Sequence, residues 1–340
     1  MTEPTRPVHD VNRRVVLRRR PEGRPGPECF ELVTEPRPTP ADGEALVEVA
    51  YLSIDPTIRG WMAYDTYLPA IGIGEVIRSG GAGRVVASRN PGYPEGALVF
   101  AMTGWQDYAL VGPTNPATVL PDGVELTDAL SVYGVTGITA YVGLLDIGRP
   151  RAGETVLVSG AAGATGSVAG QLAKIHGCRV VGIAGTAEKC RWLLEDLGFD
   201  GAINYRTEDV SRRIGELCPE GVDVFFDNVG GPILEAALDH LALRARVVLC
   251  GSISGYNDTE PRPGPRNLFQ LTVRRARMEG FIVLDHLDRF GEAALALAGW
   301  VAEGRIRHRV DVVDGLERAP EALNRLFDGT NTGKQLVRVR

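Results

Sequence analysis

Histidine and cysteine are both scarce in this chain, five of each among 340 residues, and both are scattered. The cysteines (Cys29, Cys178, Cys190, Cys218 and Cys250) are odd in number and scattered, which argues against a disulfide framework. Before His176 the only Cys or His residues are His9 and Cys29. Catalytic zinc takes about three protein ligands and structural zinc about four. No metal site is therefore expected. No apolar run reaches the ~18–20 residues that cross a bilayer, and Met1–Asp10 lacks the apolar core of a secretory leader. A net charge of −6 is the wrong sign for a nucleic-acid binder. The basic run Arg13–Arg20 encloses Val15-Val16-Leu17 and is expected to form an exposed strand, because that apolar stretch favours a sheet. The expected address is the cytoplasm, with neither nucleic acid nor membrane as partner.

What is present is an ordinary globular composition, 44% hydrophobic and 24% charged, in a length suited to about two domains. Up to about residue 130 the chain reads as strands separated by Pro- and Gly-rich turns: Arg14–Leu17, Phe30–Val33, Glu44–Leu52, Gly83–Ser88 and Ala97–Ala101. Apolar strands then alternate with helix-length segments. Thr155–Ser159, Arg179–Ile183, Ala202–Tyr205, Val222–Asp227, Arg246–Gly251 and Met278–Val283 are the strands; Val168–His176 and Glu188–Leu197 are helices. That alternation implies an α/β domain with a doubly wound parallel sheet, helices on both faces. The last ~40 residues return to strands, Val310–Val313 and Leu336–Val339, around a helix at Leu316–Asp328. They are expected to complete the first domain, making it discontinuous: 1–131 with 301–340, around 132–300.

One loop carries the chemistry. The strand Thr155–Ser159 runs into Gly160-Ala161-Ala162-Gly163-Ala164-Thr165-Gly166-Ser167 and then a small-residue helix. This is a dinucleotide fingerprint with Ala161 at the first glycine position. Small residues permit a tight turn and close approach of backbone to pyrophosphate, and the helix N-terminus offers free N–H groups and a positive dipole end. A site selective for NAD usually places Asp or Glu about 20 residues on, to bind the ribose 2′-hydroxyl. Here that position reads Ile183-Ala184-Gly185-Thr186, with no carboxylate before Glu188. Small neutral residues admit a 2′-phosphate that a carboxylate would repel, so the cofactor is expected to be NADPH. Lys189 supplies the counter-charge in this reading, although a lone lysine is by default a solvated surface residue. Tyr205 would lie along the adenosine, or else serve as an edge aromatic.

The segment Leu52-Ser53-Ile54-Asp55-Pro56-Thr57-Ile58-Arg59-Gly60-Trp61-Met62 resembles the hallmark of the zinc-independent medium-chain reductases, which include prostaglandin reductases and NADPH-dependent alkenal double-bond reductases. The likeness continues through Gly134–Tyr141, the glycine loop, Phe226–Gly231, Cys250–Asn257 and Asn331–Gln335, in collinear order. It implies a GroES-like domain beside a Rossmann domain, with substrate in the cleft between them, and a homodimer. It further implies that Gly163, Ala164, Thr165, Gly166 and Ser167 hold the pyrophosphate, and Lys189 with Tyr205 the 2′-phosphorylated end. Asn228, Cys250, Gly251, Ser252, Ile253, Ser254 and Tyr256 would line the cofactor; Phe281, Ile282 and Val283 its nicotinamide side. Asn331 would reach it from the C-terminal segment, and Thr139 would lie near the nicotinamide or phosphates. Asn228 also suits a simple Asn-Val-Gly-Gly turn.

The implied activity is hydride delivery to the β-carbon of an α,β-unsaturated ketone or aldehyde. Such an alkene is already electrophilic, and its developing enolate needs only a hydrogen-bond donor, where a zinc enzyme would polarise an oxygen. Tyr256 is the candidate donor; alternatively it only walls the pocket, and the proton comes from water or a cofactor ribose hydroxyl. Tyr64 and Tyr67 suggest an aromatic-lined substrate cavity. Asp55 and Arg59 are expected to form a buried ion pair, and Asp258–Pro265 a mobile loop that orders on cofactor binding. Two alternatives stay open: an NADPH quinone oxidoreductase of the same superfamily, and a non-catalytic NADPH-binding protein.

Overall fold

The computed structural model describes residues 10–340; His9 and nearly all of the leader reading of Met1–Asp10 lie outside the described residues. The N-terminal part is short strands broken by turns: β1 (Val11–Leu17), β2 (Phe30–Pro36), β3 (Ala45–Ser53), helix α1 (Thr57–Ala63), β4 (Gly81–Ser88), β5 (Leu98–Ala101), β6 (Tyr108–Val111), β7 (Thr118–Val119) and the single turn α2 (Leu126–Ala129). There follow α3 (Val135–Tyr141), β8 (Thr155–Val158), α4 (Ala164–Ile175), β9 (Arg179–Ala184), α5 (Ala187–Arg191), β10 (Gly201–Asn204), α6 (Val210–Leu217), β11 (Val222–Asp227), α7 (Gly231–Leu238), β12 (Leu241–Leu249), α8 (Phe269–Arg274), β13 (Arg277–Gly280) and α9 (Phe290–Ala302). The chain ends with β14 (Val310–Asp314), α10 (Ala319–Asp328) and β15 (Lys334–Arg338).

Two compact units result. The first holds the described residues up to Leu130 with Val312–Asn324 and Leu336–Arg340; the second holds Ser131–Asp311 with Arg325–Gln335. Residues 301–311 and 325–335, read from sequence as part of the first domain, thus pack with the nucleotide unit. In the first unit the main sheet runs β14-β15-β3-β4-β5-β7, with β6 also on β3. Beside it, β1 and β2 form a two-stranded antiparallel ribbon. The run Arg13–Arg20 is not the exposed strand expected from its charge: Val15, Val16 and Leu17 are buried. The backbone decides this, because Val15 N–H donates to Trp105 and Leu17 N–H to Glu75, drawing the apolar triplet inward.

In the second unit the sheet order is β10-β9-β8-β11-β12-β13, and every pair is parallel. This is the doubly wound Rossmann arrangement. The sequence of β8 shows why it forms. All four residues of Thr-Val-Leu-Val are buried, with Val156 and Val158 in the core that includes α4, and Leu157 in the core that includes α6 and α7. A strand covered on both faces needs apolar side chains at every position. Burying each such side chain is worth about 1.5–3 kcal/mol before entropy is counted. The order reverses between β8 and β11, which is where open α/β sheets leave a crevice at their carboxyl ends.

Candidate dinucleotide site

The glycine loop fills one wall of that crevice. Gly160 has φ +57°, a left-handed conformation that favours glycine, and Gly163 N–H closes a turn onto its carbonyl at 2.9 Å. A Cβ at Gly166 would sit 2.4 Å from the Gly160 oxygen, so only glycine lets α4 approach β8 this closely. Ala164 and Thr165 occupy the first turn of this twelve-residue helix, which carries no acidic residue. Its leading N–H groups therefore face no competing carboxylate within the helix, the arrangement that suits an anion. Ser167 is buried and turns its hydroxyl to the Ala164 carbonyl. The C-terminal segment closes on the loop: Gly333 N–H donates to Ala162 at 2.9 Å, and the buried Asn331 donates to Gly333 at 3.1 Å.

Across the switch point, Asp227 ends β11 with its carboxylate fully buried. It accepts the Ser159 hydroxyl at 2.6 Å and the backbone N–H groups of Val229 and Gly230. Burial raises its pKa, with those donors opposing. Asn228 donates to the Ser159 carbonyl at 2.7 Å. The next segment is tied to the same turn, Cys250 and Gly251 N–H to the Asp227 carbonyl and Ser254 N–H to Val229. Burial pushes the Cys250 thiol up to about 12, which keeps it protonated and non-nucleophilic at neutral pH. The Tyr256 hydroxyl accepts the Ser252 N–H at 3.3 Å, so its ring folds back over this loop. Within Asp258–Pro265, Arg262 donates to the Ser254 carbonyl at 2.8 Å and to Asp258 at 2.9 Å.

At the far end of the crevice, Thr186 caps α5 by accepting the Lys189 N–H at 3.2 Å. The Lys189 ammonium is half-buried and donates to the Gly329 carbonyl at 2.7 Å. Burial lowers its pKa, and the neighbouring Arg206 lowers it further. Gly185 leaves room for Tyr205, whose ring atoms would stand 3.0 Å from a Cβ at that position.

Residues 13–119 match the family described as "N-terminal domain of oxidoreductase" and residues 164–299 the one described as "Zinc-binding dehydrogenase". The NADPH-dependent curcumin reductase of Escherichia coli (strain K12) is 42% identical over 334 residues, 96% of this chain and 97% of that protein. The chain is a zinc-independent medium-chain dehydrogenase/reductase. The NADP(+)-dependent 2-alkenal reductase of Nicotiana tabacum is 38% identical to this reductase over 96% of its chain and 97% of the relative. The crystal structure of CurA in complex with NADPH from Vibrio vulnificus superposes with a TM-score of 0.92, at 42% identity and over 96% and 99% of the two chains. Among the described residues, no group of three or more His, Cys, Asp and Glu is arranged to hold a metal ion.

The remaining positions of this reductase divide between the units. In the nucleotide unit, Thr139 donates to the Val135 carbonyl at 2.6 Å. Phe281–Val283 follow the carboxyl end of β13, which stops at Gly280, shorter than the strand expected to run through Val283. The Phe281 ring fills space that a Cβ at Gly143 would occupy. In the first unit, Tyr64 and Tyr67 are 55% and 45% exposed, and Tyr67 shares a 3.0 Å hydrogen bond with Thr57. The expected Asp55–Arg59 ion pair is replaced by other contacts. Arg59, 4% exposed, donates to the Gly23 carbonyl at 3.2 and 2.9 Å, and Asp55 accepts the Ser53 hydroxyl at 2.5 Å. Burial consequently depresses the Arg59 pKa. Sequence reasoning missed Ser159 and Asp227 as a linked pair, and it missed Arg206. The available signal was a polar residue ending each of two apolar strands, Ser159 after β8 and Asp227 in β11.

Proposed function

We propose that this chain reduces the carbon–carbon double bond of α,β-unsaturated ketones and aldehydes, with NADPH as its cofactor. The observation that carries this reading is full-length similarity, across both units, to the NADPH-dependent curcumin reductase and the 2-alkenal reductase. The nucleotide unit suits the cofactor. Gly166 leaves a cradle that a Cβ would fill, and the end of β9 offers no acid to repel a 2′-phosphate. Gly163–Ser167 would hold the pyrophosphate, Lys189 and Tyr205 the phosphorylated ribose, and Thr139, Asn228, Cys250–Tyr256, Phe281–Val283 and Asn331 the remainder.

Bound NADPH supplies the hydride for the β-carbon. In this reading the chain's own part is to receive charge. The Tyr256 phenol donates a hydrogen bond to the substrate carbonyl oxygen and holds the negative charge that develops there; the α-carbon of the enolate then takes a proton from water to give the saturated carbonyl compound. A placed donor of this kind is worth roughly 10²–10³ in rate. The protonated Cys250 stays out of the chemistry, because a thiol near pKa 12 adds no competing nucleophile toward an electrophilic alkene. Tyr64 and Tyr67 present the aromatic surface for the substrate's apolar body.

The same reading takes the enzyme to be a cytoplasmic homodimer. Supporting it, β13 is the terminal strand of the parallel sheet, with Arg277, Glu279 and Gly280 exposed, and an unpaired edge is a template for a second copy. No helix among the described residues is long and apolar enough to cross a membrane.

The test is turnover of NADPH with a panel of enals, enones and quinones, followed by product analysis with deuterium-labelled cofactor. Saturated carbonyl product with deuterium at the β-carbon is expected. Reduction of quinones alone, or alcohol in place of saturated carbonyl, would overturn the reading.

A further inference from the structure

Arg206 stands beside Lys189 without having been singled out by any motif. The two lie on different elements, Lys189 in α5 and Arg206 just after β10, and both are drawn to the end of α10. Arg206 Nη2 donates to the Asp328 carbonyl at 2.6 Å, and Lys189 Nζ to the adjacent Gly329 carbonyl at 2.7 Å. Gly329 has φ +65°, and a Cβ there would sit 3.3 Å from Arg206 Nη2 and 3.9 Å from the Tyr205 hydroxyl. The Arg206 guanidinium lies 5.8 Å from the centre of the Tyr205 ring. Two cations and a phenol thus converge on one glycine.

The charges do not balance. A helix C-terminus carries only about half a negative charge, against two full positive ones. Among the described residues, neither Lys189 nor Arg206 has a carboxylate partner within ion-pair distance; Asp311, the acid that most favours the Lys189 charge, is bonded to Arg325 at 2.7 Å. A ribose 2′-phosphate brings roughly −1.5 to −2 at neutral pH, which matches the surplus. Arginine adds what lysine lacks, a planar fork able to meet two phosphate oxygens at once.

We propose that Arg206 is a second phosphate-binding cation beside Lys189, and a determinant of selectivity for the 2′-phosphorylated dinucleotide. The proposal rests on the NADPH reading above and deepens it. The depressed pKa of Lys189 agrees with it: burial disfavours that charge first and Arg206 adds to the effect, and an arriving anion would oppose both. The carbonyls of Asp328 and Gly329 act as holders, aiming both side chains before the cofactor binds.

The probes are 2′,5′-ADP and 5′-AMP, titrated calorimetrically into the wild type, Arg206→Ala and Arg206→Lys, with thermal melts confirming the fold of each. The wild type is expected to prefer 2′,5′-ADP. Arg206→Ala should weaken that ligand about ten- to a hundred-fold, the size of a lost charged hydrogen bond, and 5′-AMP by less than about twofold. Arg206→Lys should recover part of the loss. A wild type that binds both ligands equally would sink the NADPH reading itself. A wild-type preference that survives intact in Arg206→Ala would sink only the assignment of Arg206. Equal weakening of both ligands would likewise overturn it, reducing Arg206 to a loop-positioning residue.

Discussion

The Ser159 hydroxyl donates to the buried Asp227 carboxylate at 2.6 Å and accepts the Asn228 N–H at 2.8 Å, joining the two strands where the parallel sheet reverses its order. One small hydroxyl thereby joins the Val229 and Gly230 N–H groups in satisfying a buried carboxylate, and it sets the turn that carries Asn228. Ser159→Ala should cost about 1.5–3 kcal/mol, the price of removing a hydrogen bond to a buried charge. Urea unfolding measures it, and Ser159→Thr should lose less. A midpoint unchanged by the alanine variant would mean that the bond does not hold this crossing together.

Gly166→Ala places a Cβ 2.4 Å from the Gly160 oxygen, and backbone cannot swing aside as a flexible side chain can. The helix must back away from the loop. A stability loss of about 1–3 kcal/mol is expected from the overpacking, together with a smaller thermal shift on adding NADPH. A variant that melts with the wild type, with and without NADPH, would contradict the close approach.

Lys189→Ala should raise the KM for NADPH about ten-fold or more, as loss of a charge-assisted contact does. The KM for NADH should change little. Steady-state kinetics with both cofactors decides the matter, and equal effects on the two would refute the phosphate role.

Tyr256→Phe keeps the ring and deletes the hydroxyl that accepts the Ser252 N–H. If the phenol also serves the substrate oxygen, kcat should fall by roughly 10²–10³, while the Kd for NADPH stays within about twofold. An unchanged kcat removes Tyr256 from the chemistry and leaves proton delivery to water or the ribose.

Acid should destabilise the protein. Asp107 is 1% exposed, and burial alone would raise its pKa, but hydrogen bonds from Arg13 and Arg340 outweigh that and hold it below the carboxylate range. Glu154 with Arg246, and Asp200 with Lys174, shift the same way. A depressed folded pKa contributes stability above the ordinary carboxylate value that is lost as pH falls through the folded one. Asp227 has the opposite sign: its contribution is complete below the ordinary value and fades as pH rises through its raised pKa. Three groups against one predict a urea midpoint that drops below about pH 4. Asp107→Asn should flatten that acid limb. A midpoint that rises on acidification would reverse the balance.

Much of the nucleotide unit was legible in the residues. The apolar strands, the small-residue helix and the glycine spacing are local patterns, each complete within a dozen positions, and strand–helix alternation leaves few ways to wind a parallel sheet. The Arg13–Arg20 run misled because its charges are conspicuous. Its placement depends on Trp105 and Glu75, which lie far along the chain. The Asp55–Arg59 pairing misled for a related reason: opposite charges near each other in sequence invite a salt bridge, whereas Arg59 meets the carbonyl of Gly23.

By itself, then, the sequence determined the order of strands and helices, the phosphate-binding turn, and the absence of an acid after β9. All of these are set by steric and hydrophobic preferences acting between near neighbours. Tertiary structure decided which polar groups meet. Ser159 finds Asp227 across 68 residues, Arg206 finds Asp328 across 122 and Lys189 finds Gly329 across 140. Such partners are chosen by which backbone ends the packed sheet and helices bring together, and periodicity carries no record of that choice.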